Sequence, residues 1–267
     1  MRNGLWATLI WLGLSGLAHA DDALKAVLAG AQRAPTNVAR DAWRHPYETL
    51  MFFGIRPDMT VVEVSPGGGW YTEILAPYLR DKGQLILAAD DPESIEAYYR
   101  RSAARLKAKL QAAPATFDKV RVGVFAPPAQ LQYAAASSAD MVLTFRNVHN
   151  WSAEGEPVVQ AVFNSVFQVL KPGGVFGIVD HRLPADKTQD AKASSGYIHV
   201  TSVTRLAQLA GFTLAASSEI NANPRDTADH PGGVWALPPT FGNKERNKEH
   251  YAAIGESDRF TLKFIKP

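Results

Sequence analysis

Residues 61–72 read Val61-Val62-Glu63-Val64-Ser65-Pro66-Gly67-Gly68-Gly69-Trp70-Tyr71-Thr72. The β-branched run 60–65 predicts a strand, and 70–79 predicts a helix directly after the three glycines. Glycines permit a tight turn and let a ligand approach backbone N–H groups, while the helix N-terminus adds partial positive charge. Open α/β sheets bind ligands at such a turn, where a central strand ends.

The rest of the chain alternates apolar runs with amphipathic segments, which predicts a parallel sheet with helices on both faces. Further strands are predicted at 84–89, 120–125, 141–145, 175–179, 212–220 and 259–265. Helices are predicted at 23–40 (broken by Pro35), 92–111 (capped by Asp91), 157–170 and 200–210. The run 259–265 alternates polar and apolar residues, as an exposed antiparallel strand does.

Composition predicts one α/β domain over 21–267, with an irregular, proline-rich insertion near 221–255. The net charge is +2 from 28 basic and 26 acidic residues, so nothing in the bulk charge favours a nucleic-acid partner. The basic residues of 100–109 are interpreted as the solvated face of a helix. The chain has no cysteine, which excludes disulfides, thiolate metal sites and cysteine nucleophiles.

The first twenty residues have the form of a signal peptide. Arg2 precedes a short apolar run at 5–14, and Ala18-His19-Ala20 has the small-x-small form of a cleavage site. We expect cleavage after Ala20, export to the periplasm, and no stable membrane insertion afterwards. An uncleaved anchor is the alternative, although the apolar run is short for a spanning helix.

The glycine turn departs from two nucleotide-binding motifs. A dinucleotide fingerprint needs a third glycine where Thr72 stands, and no P-loop sequence is present. Glu63 precedes the glycines, and its carboxylate suits a cationic ligand better than a pyrophosphate. Asp90 ends the second predicted strand, where a carboxylate can accept both ribose hydroxyls of an adenosine. The alternative is that Asp90 only caps the next helix.

These features make the chain resemble class I S-adenosylmethionine-dependent methyltransferases, and within them a branch of exported predicted methyltransferases. The resemblance rests on Arg44-His45-Pro46, on 63–72, on Leu170-Lys171-Pro172-Gly173-Gly174 and on Val234-Trp235-Ala236-Leu237-Pro238-Pro239. It implies a Rossmann-like, seven-stranded, mostly parallel sheet whose last strand is antiparallel and lies between the fifth and sixth. Ser65 replaces the family's usual first glycine, and Pro66 stiffens the turn.

The resemblance also implies a cofactor site for S-adenosyl-L-methionine. Its predicted members are Glu63, Ser65, Gly67, Gly69, Asp90, Phe125 and Phe145. Glu63 is expected near the methionine amino group, Gly67 and Gly69 against the cofactor, and Asp90 on the ribose. Phe125 is expected beside the adenine, and Phe145 on the methionine side. His45 is expected either over the cofactor or in the packing of the N-terminal arm.

Polar residues after the fourth and fifth strands are candidates for chemistry at the same edge of the sheet. Asn147 and His149 are the predicted catalytic residues, His149 as a proton acceptor; packing within the loop is an equal alternative for it. Trp151, His181 and Tyr197 are predicted to contact the substrate. Asp180 and the histidines at 149, 181 and 199 could converge on a metal, but no metal-ligand spacing is present, and none is predicted.

Two functions remain open from the sequence. The first is an S-adenosylmethionine-dependent methyltransferase acting on an unidentified small molecule. The second is a non-catalytic exported protein that reuses the fold to bind another small polar ligand, because the cofactor has no obvious supply outside the cytoplasm. A nicotinamide-dependent oxidoreductase is disfavoured by Thr72. The segment 221–255 is a candidate lid over the acceptor.

Overall fold

A computed structural model describes residues 22–267. Its strands are β1 Thr60–Val64, β2 Gln84–Ala89, β3 Arg121–Val124, β4 Ala139–Phe145, β5 Leu170–His181, β6 Thr213–Ser218 and β7 Arg259–Ile265. Its helices are α1 22–28, α2 Pro35–Val38, α3 Asp41–Arg44, α4 Pro46–Phe53, α5 Thr72–Leu79, α6 Ala97–Ala112, α7 Pro114–Phe117, α8 Val148–Ala153, α9 Glu156–Val169, α10 Val200–Leu209 and α11 Lys248–Ile254, with a 3₁₀ turn at Gly233–Ala236.

The seven strands form one sheet in the order β3-β2-β1-β4-β5-β7-β6. β7 runs antiparallel to both of its neighbours, and the other adjacent strands are parallel. The predicted α/β class I methyltransferase-like topology is therefore confirmed. Strand order changes direction between β1 and β4, so their carboxyl ends open a crevice at the switch point of the sheet.

Apolar residues cover both faces of the sheet because a parallel strand is buried on both sides. In β1, Val62 and Val64 belong to one core with helices α8 to α10, while Val61 belongs to the other core with α4 and α5. Each fully buried side chain of this size contributes about 1.5–3 kcal/mol of hydrophobic free energy. The two cores fix β1 and β4, and with them the polar loops that follow these strands.

Helix α6 begins at Ala97, so the prediction of a helix from Pro92 is wrong. The Asp91 side chain accepts the N–H of Glu93 at 2.9 Å, and the Ser94 N–H donates to the Asp91 carbonyl at 3.2 Å. These local hydrogen bonds offer the backbone a turn in place of a helix. Asp91 therefore shapes the loop after β2 instead of capping a helix.

Strand β7 is interior, so the expectation that 259–265 is an exposed strand is wrong. Its polar positions are satisfied inside the protein: Asn221 Nδ2 donates to Thr261 Oγ1 at 2.9 Å, and Arg259 pairs with Glu256. Strand β6, with mostly exposed residues, forms the edge instead. Strand β5 is longer than predicted, because residues 170–174 pair along β4 and the chain end.

The N-terminal arm is helical in pieces. Pro35 is the first residue of α2, where its missing N–H has no cost, and does not interrupt a longer helix. The predicted signal peptide at 1–20 lies outside the described residues. Within residues 22–267, no helix is both long and apolar enough to cross a membrane.

Candidate functional site

The glycine turn after β1 is held in a strained, open shape. Ser65 has φ 52°, and its N–H donates to the Ala88 carbonyl at 2.9 Å, which ties the turn to β2. Gly67 has φ 56°, a conformation that favours glycine. A Cβ atom added at Gly67 or Gly68 would meet nothing within 4 Å. The turn therefore leaves space on its outer side for a ligand to contact the backbone.

Gly69 faces the protein, contrary to the expectation that it contacts a ligand. Its φ is 74°, and an added Cβ would lie 3.1 Å from Lys109 Cδ. Lys109 Nζ also donates to the Gly69 carbonyl at 3.3 Å and forms an ion pair with the buried Glu73. Lys109 is thus a brace for the turn, and its interpretation as part of a solvated face is wrong.

The turn forms one wall of a cavity of about 290 Å³, here called the turn cavity. Of the predicted cofactor residues, Glu63, Ser65, Gly67 and Phe145 line it. Tyr71 lines it as well, and its ring stacks on Phe145 with centroids 3.5 Å apart. The cavity lies at the carboxyl ends of β1 and β4, as the sheet topology requires of a ligand site.

Glu63 is a buried acid inside the turn cavity. It is 2% exposed, and its Oε2 accepts a hydrogen bond from Thr72 Oγ1 at 2.6 Å. Burial raises the pKa of Glu63 to about 8, against the opposing effects of Thr72, Lys109 and Arg146. A cation entering the cavity would favour the ionised form, so Glu63 is suited to neutralise an ammonium group.

Asn147 braces the turn from the β4 side. Its Nδ2 donates to the carbonyls of Val64 and Ser65, both at 3.2 Å, and to Thr144 Oγ1 at 3.0 Å. It lines the turn cavity, so the structure brings it to the predicted site. Because these hydrogen bonds occupy its amide nitrogen, Asn147 holds the turn in position. Its prediction as a catalytic residue stays untested.

A second cavity of about 270 Å³ adjoins the first and is here called the histidine cavity. His149 and His181 line it, with ring centroids 4.9 Å apart. His149 Nδ1 lies 2.8 Å from Asp180 Oδ1, and Asp180 has no exposed surface. This contact fixes the His149 ring and leaves its Nε2 as the nitrogen without a protein partner among residues 22–267. His149 lies in the first turn of helix α8, whereas the sequence predicted a loop there.

His181 is held in its neutral form. Its Nδ1 lies 2.5 Å from Ser257 Oγ. The pKa of His181 lies well below its usual range, because of burial first and then of its neighbours His149, Arg146, Arg259 and Arg44. Ser257 comes from the segment before β7, so residues far apart in sequence complete this side of the cavity.

The two cavities share three arginines, here called the arginine wall: Arg40, Arg44 and Arg146. Glu256 accepts from Arg40 Nε at 2.6 Å and pairs with Arg44 Nε at 3.0 Å. Arg259 binds the same carboxylate at 3.1 Å. Burial alone would raise the pKa of Glu256, but the four surrounding arginines lower it to about 2. The sequence favours a structural ion pair for Arg146 over a substrate contact, but Arg146 forms no ion pair among residues 22–267.

The side chains of His149, Asp180 and His181 form the one group within residues 22–267 whose ligand atoms are close enough to hold a metal. His199 is elsewhere, with Nε2 2.9 Å from the Lys187 carbonyl. The Asp180 carboxylate already accepts the N–H groups of both histidines at 3.1 and 2.8 Å. The nearby arginines oppose the binding of a cation at this group.

Five predicted site residues line neither cavity: Gly69, described above, and Asp90, Phe125, Trp151 and Tyr197. Phe125 and Trp151 pack against each other in the core, 2% and 5% exposed. Tyr197 is fully buried, and its hydroxyl donates to Asp226 at 3.0 Å. These three side chains therefore stabilise the fold in the described conformation and present no free surface to a ligand.

Asp90 is half-buried where β2 ends, beside the turn. Burial raises the pKa of Asp90, opposed by a hydrogen bond from Ser102 and by Arg105. Its position at the end of β2, one strand from β1, is consistent with the predicted ribose contact. His45 joins α3 to α4 with φ 40° and lines neither cavity.

Sequence reasoning missed Gly68, Tyr71 and two members of the arginine wall, Arg40 and Arg44. The triplet Arg44-His45-Pro46 had been singled out, without a role for Arg44. Trp235, 39% exposed at the rim of the histidine cavity, lies 6.2 Å from the His149 ring. Through Trp235 the segment 221–255 reaches the histidine cavity, which is the position expected of a lid.

Comparison with solved structures shows the fold. A "SAM dependent methyltransferase" from Aquifex aeolicus has a TM-score of 0.57 at 16% identity, covering 92% of this chain and 98% of that one. A geranyl diphosphate C-methyltransferase from Streptomyces coelicolor A3(2), in complex with Mg²⁺, geranyl diphosphate and S-adenosyl-L-homocysteine, has a TM-score of 0.55 at 14% identity, covering 91% and 88%. The [4+2]-cyclase SpnF has 0.55 at 13%, covering 95% of both chains. No family model and no curated protein matches the sequence.

Proposed function

We propose that this chain binds S-adenosylmethionine in the turn cavity and transfers its methyl group to a small molecule in the histidine cavity. The observation that carries the proposal is the open glycine turn facing buried Glu63, at the switch point of a class I methyltransferase-like sheet. A Cβ at Gly67 or Gly68 would project into free space, which is the cradle that a ligand pressed against the backbone needs.

Each residue has a chemical task in this proposal. Glu63 would neutralise the ammonium group of the methionine moiety, and the backbone at Gly67 and Gly68 would face the cofactor. Asp90 would hold the ribose hydroxyls. When bound, the cofactor supplies a methyl group on a sulfonium, which is a good leaving group. The enzyme therefore needs mainly to position the acceptor in line and exclude water.

His149 is the residue that would accept a proton from the acceptor. Asp180 holds its Nδ1, which leaves Nε2 with a lone pair towards the histidine cavity. An acceptor hydroxyl or amine there would lose its proton to Nε2 as its oxygen or nitrogen gains the methyl group. A helper of this kind is worth about 10²–10⁴-fold in rate.

The proposal is tested by calorimetric titration of the full chain with S-adenosylmethionine and S-adenosylhomocysteine. The Gly68→Ala variant should keep wild-type stability, because its added Cβ meets nothing, and should weaken binding by about tenfold or more through contact with the ligand. Gly173→Ala, at an open glycine near the start of β5 that lines neither cavity, is the control for binding only, because its φ of 76° makes an alanine there strained. Absence of binding by the wild-type chain to either compound would refute the proposal.

A second matched pair tests the ribose contact. Asp90→Asn should weaken binding of both compounds by about tenfold, because the amide replaces one of the two acceptor oxygens by a donor NH₂ group. Asp91→Asn, next to it but turned to the Glu93 N–H, should bind normally. Equal affinities in the two variants would remove Asp90 from the site.

Binding without transfer is the alternative function, a non-catalytic protein that reuses the fold. The similarity to a structure named as a cyclase is a reason to test it, since the fold does not by itself fix methyl transfer as the reaction. Formation of S-adenosylhomocysteine from S-adenosylmethionine in the presence of a pooled acceptor mixture separates the two. Export is part of the proposal too, and N-terminal sequencing of protein from the periplasm tests cleavage after Ala20.

A further inference from the structure

The arginine wall carries positive charge that the protein does not neutralise. Four guanidinium groups, those of Arg40, Arg44, Arg146 and Arg259, surround the single carboxylate of Glu256. Asp180, behind His149, is the other acid counted in this region, because burial raises the pKa of Glu63 to about 8. The region therefore keeps a surplus of about two positive charges in a partly buried site.

The donors of the wall are also incompletely used. Arg44 is 2% exposed, and its Nη1 is buried without a hydrogen-bond partner among residues 22–267. Nη2 of Arg40 is in the same state. The guanidinium of Arg146 lines both cavities and makes no ion pair or hydrogen bond within the described part of the chain. A buried donor without a partner is costly, and more so when it is charged, so these guanidinium groups favour an anionic acceptor.

S-adenosylmethionine, the cofactor of the proposed function, cannot neutralise the positive charge of the arginine wall. S-adenosylmethionine carries an ammonium, a sulfonium and one carboxylate, so it enters with a net charge of +1. Ionisation of Glu63 on binding offsets only one charge. The arginine surplus then persists, and the remaining partner of the site must be negative. Planar guanidinium groups recognise carboxylate and phosphate oxygens through paired hydrogen bonds.

We propose that the arginine wall binds a carboxylate or phosphate group of the methyl acceptor, so that the acceptor is an anionic small molecule. That the anion belongs to the methyl acceptor rests on the proposed function. That an anion binds here rests only on the arginine wall. The histidine cavity is the place for the reacting part of that molecule, because Arg40, Arg44 and Arg146 line it together with His149. An anion at the wall would hold the acceptor's nucleophile beside Nε2 of His149.

The test uses inorganic phosphate and acetate as probes, titrated at constant ionic strength into the full chain, alone and saturated with S-adenosylhomocysteine. We expect at least one probe to bind in both states. Arg146→Gln should weaken this binding about tenfold to a hundredfold, since a hydrogen bond to a charged group is worth about 1.5–3 kcal/mol. It should leave the fold intact, because Arg146 has no ion pair to break in the described structure. Arg101→Gln, exposed on α6, should bind as wild type.

Three outcomes would overturn the proposal. Binding of neither probe in either state, with S-adenosylhomocysteine still bound, would refute the anion site and leave the proposed function standing. Binding that S-adenosylhomocysteine abolishes would assign the wall to the carboxylate of the cofactor. Equal probe affinities in Arg146→Gln and wild type, with Arg44→Gln also unchanged, would place the anion elsewhere.

Discussion

Asp180 Oδ1 lies 2.8 Å from Nδ1 of His149, and Asp180 is completely buried behind it. The same carboxylate accepts the backbone N–H groups of His149 and His181, so it orients the loop after β4 and the end of β5 together. Three of the roughly four acceptor sites of this carboxylate are therefore occupied by the two histidines. The geometry therefore selects one tautomer of His149, with the proton on Nδ1 and the free lone pair on Nε2.

The tautomer is directly measurable. In ¹⁵N-resolved NMR spectra of the histidine rings, neutral His149 should show a protonated Nδ1 and an unprotonated Nε2. Asp180→Asn should mix the two tautomers and lower the unfolding free energy by about 1–3 kcal/mol, because one amide oxygen cannot serve the same donors. His199, whose Nε2 contacts a backbone carbonyl, should be unchanged. A protonated Nε2 in wild-type His149 would contradict its assignment as a proton acceptor.

Glu63 should make stability depend on pH. Its pKa in the folded protein is raised from 4.5 to about 8, so between these values the folded state holds a proton that the unfolded state has lost. Its contribution to stability is therefore complete below about pH 4.5, declines as the pH rises to about 8, and is then constant. The free energy of unfolding should fall by up to about 5 kcal/mol across this window.

Glu63→Gln removes the titration while keeping an acceptor for the Thr72 hydroxyl. Urea unfolding between about pH 5 and pH 8 should show a clearly flatter profile for this variant than for wild type. Glu256, with its pKa lowered to about 2, acts below this window and does not interfere. Parallel profiles for both proteins would mean that Glu63 is ionised in the folded state.

Lys109 should stabilise the turn more than its place in a basic helix indicates. Lys109→Met leaves the buried Glu73 with Asn37 Nδ2 at 2.9 Å and the Ala34 N–H at 3.3 Å, but without its counter-ion. We expect a loss of about 1–3 kcal/mol in urea unfolding. Lys107→Met, on the exposed face of the same helix, should change stability by less than about 0.5 kcal/mol. Equal effects in the two variants would restore the interpretation as a solvated face.

The sheet and its turn could be predicted from the sequence because their signals are local. The β-branched run before Gly67 and the alternation of strands and helices specify neighbours in the chain, and the family resemblance supplied the strand order. The start of α6 could not be predicted, since a side-chain hydrogen bond of Asp91 competes with helix formation there. Burial of β7 also escaped, because Asn221 and Glu256 satisfy its polar side chains from outside the strand.

The arginine wall was invisible to sequence patterns for a different reason. Arg44 and Arg146 are on separate elements, and Glu256 joins the wall from near the C-terminus. No periodicity relates three such positions, and only the folded sheet brings them to one edge. The sequence also did not predict that Phe125, Trp151 and Tyr197 are buried in the core. A position near the end of a strand indicates that a residue is close to the site, but it does not give the direction of its side chain.

The segment 221–255 should be firmly anchored, in contrast to a lid that opens freely. Its anchor is Asp226, whose buried carboxylate accepts from Tyr197 Oη at 3.0 Å, from the Asp258 N–H at 2.8 Å and from the Ala228 N–H at 2.9 Å, with His230 Nε2 also 2.8 Å away. Backbone amides of this segment that donate hydrogen bonds should therefore exchange slowly with solvent.

Removing the anchor should loosen the segment before the sheet. Asp226→Asn should cost about 3 kcal/mol or more, since several buried donors lose their acceptor, and should raise hydrogen exchange across 221–255. Tyr197→Phe, which removes one donor and leaves the others paired, should cost only about 1 kcal/mol with little change in exchange. Hydrogen-exchange mass spectrometry with urea unfolding checks both. Fast exchange throughout the wild-type segment would contradict this anchoring by Asp226. Residues 221–255, including Trp235, would then be mobile without a ligand, and only a bound ligand would hold them over the histidine cavity.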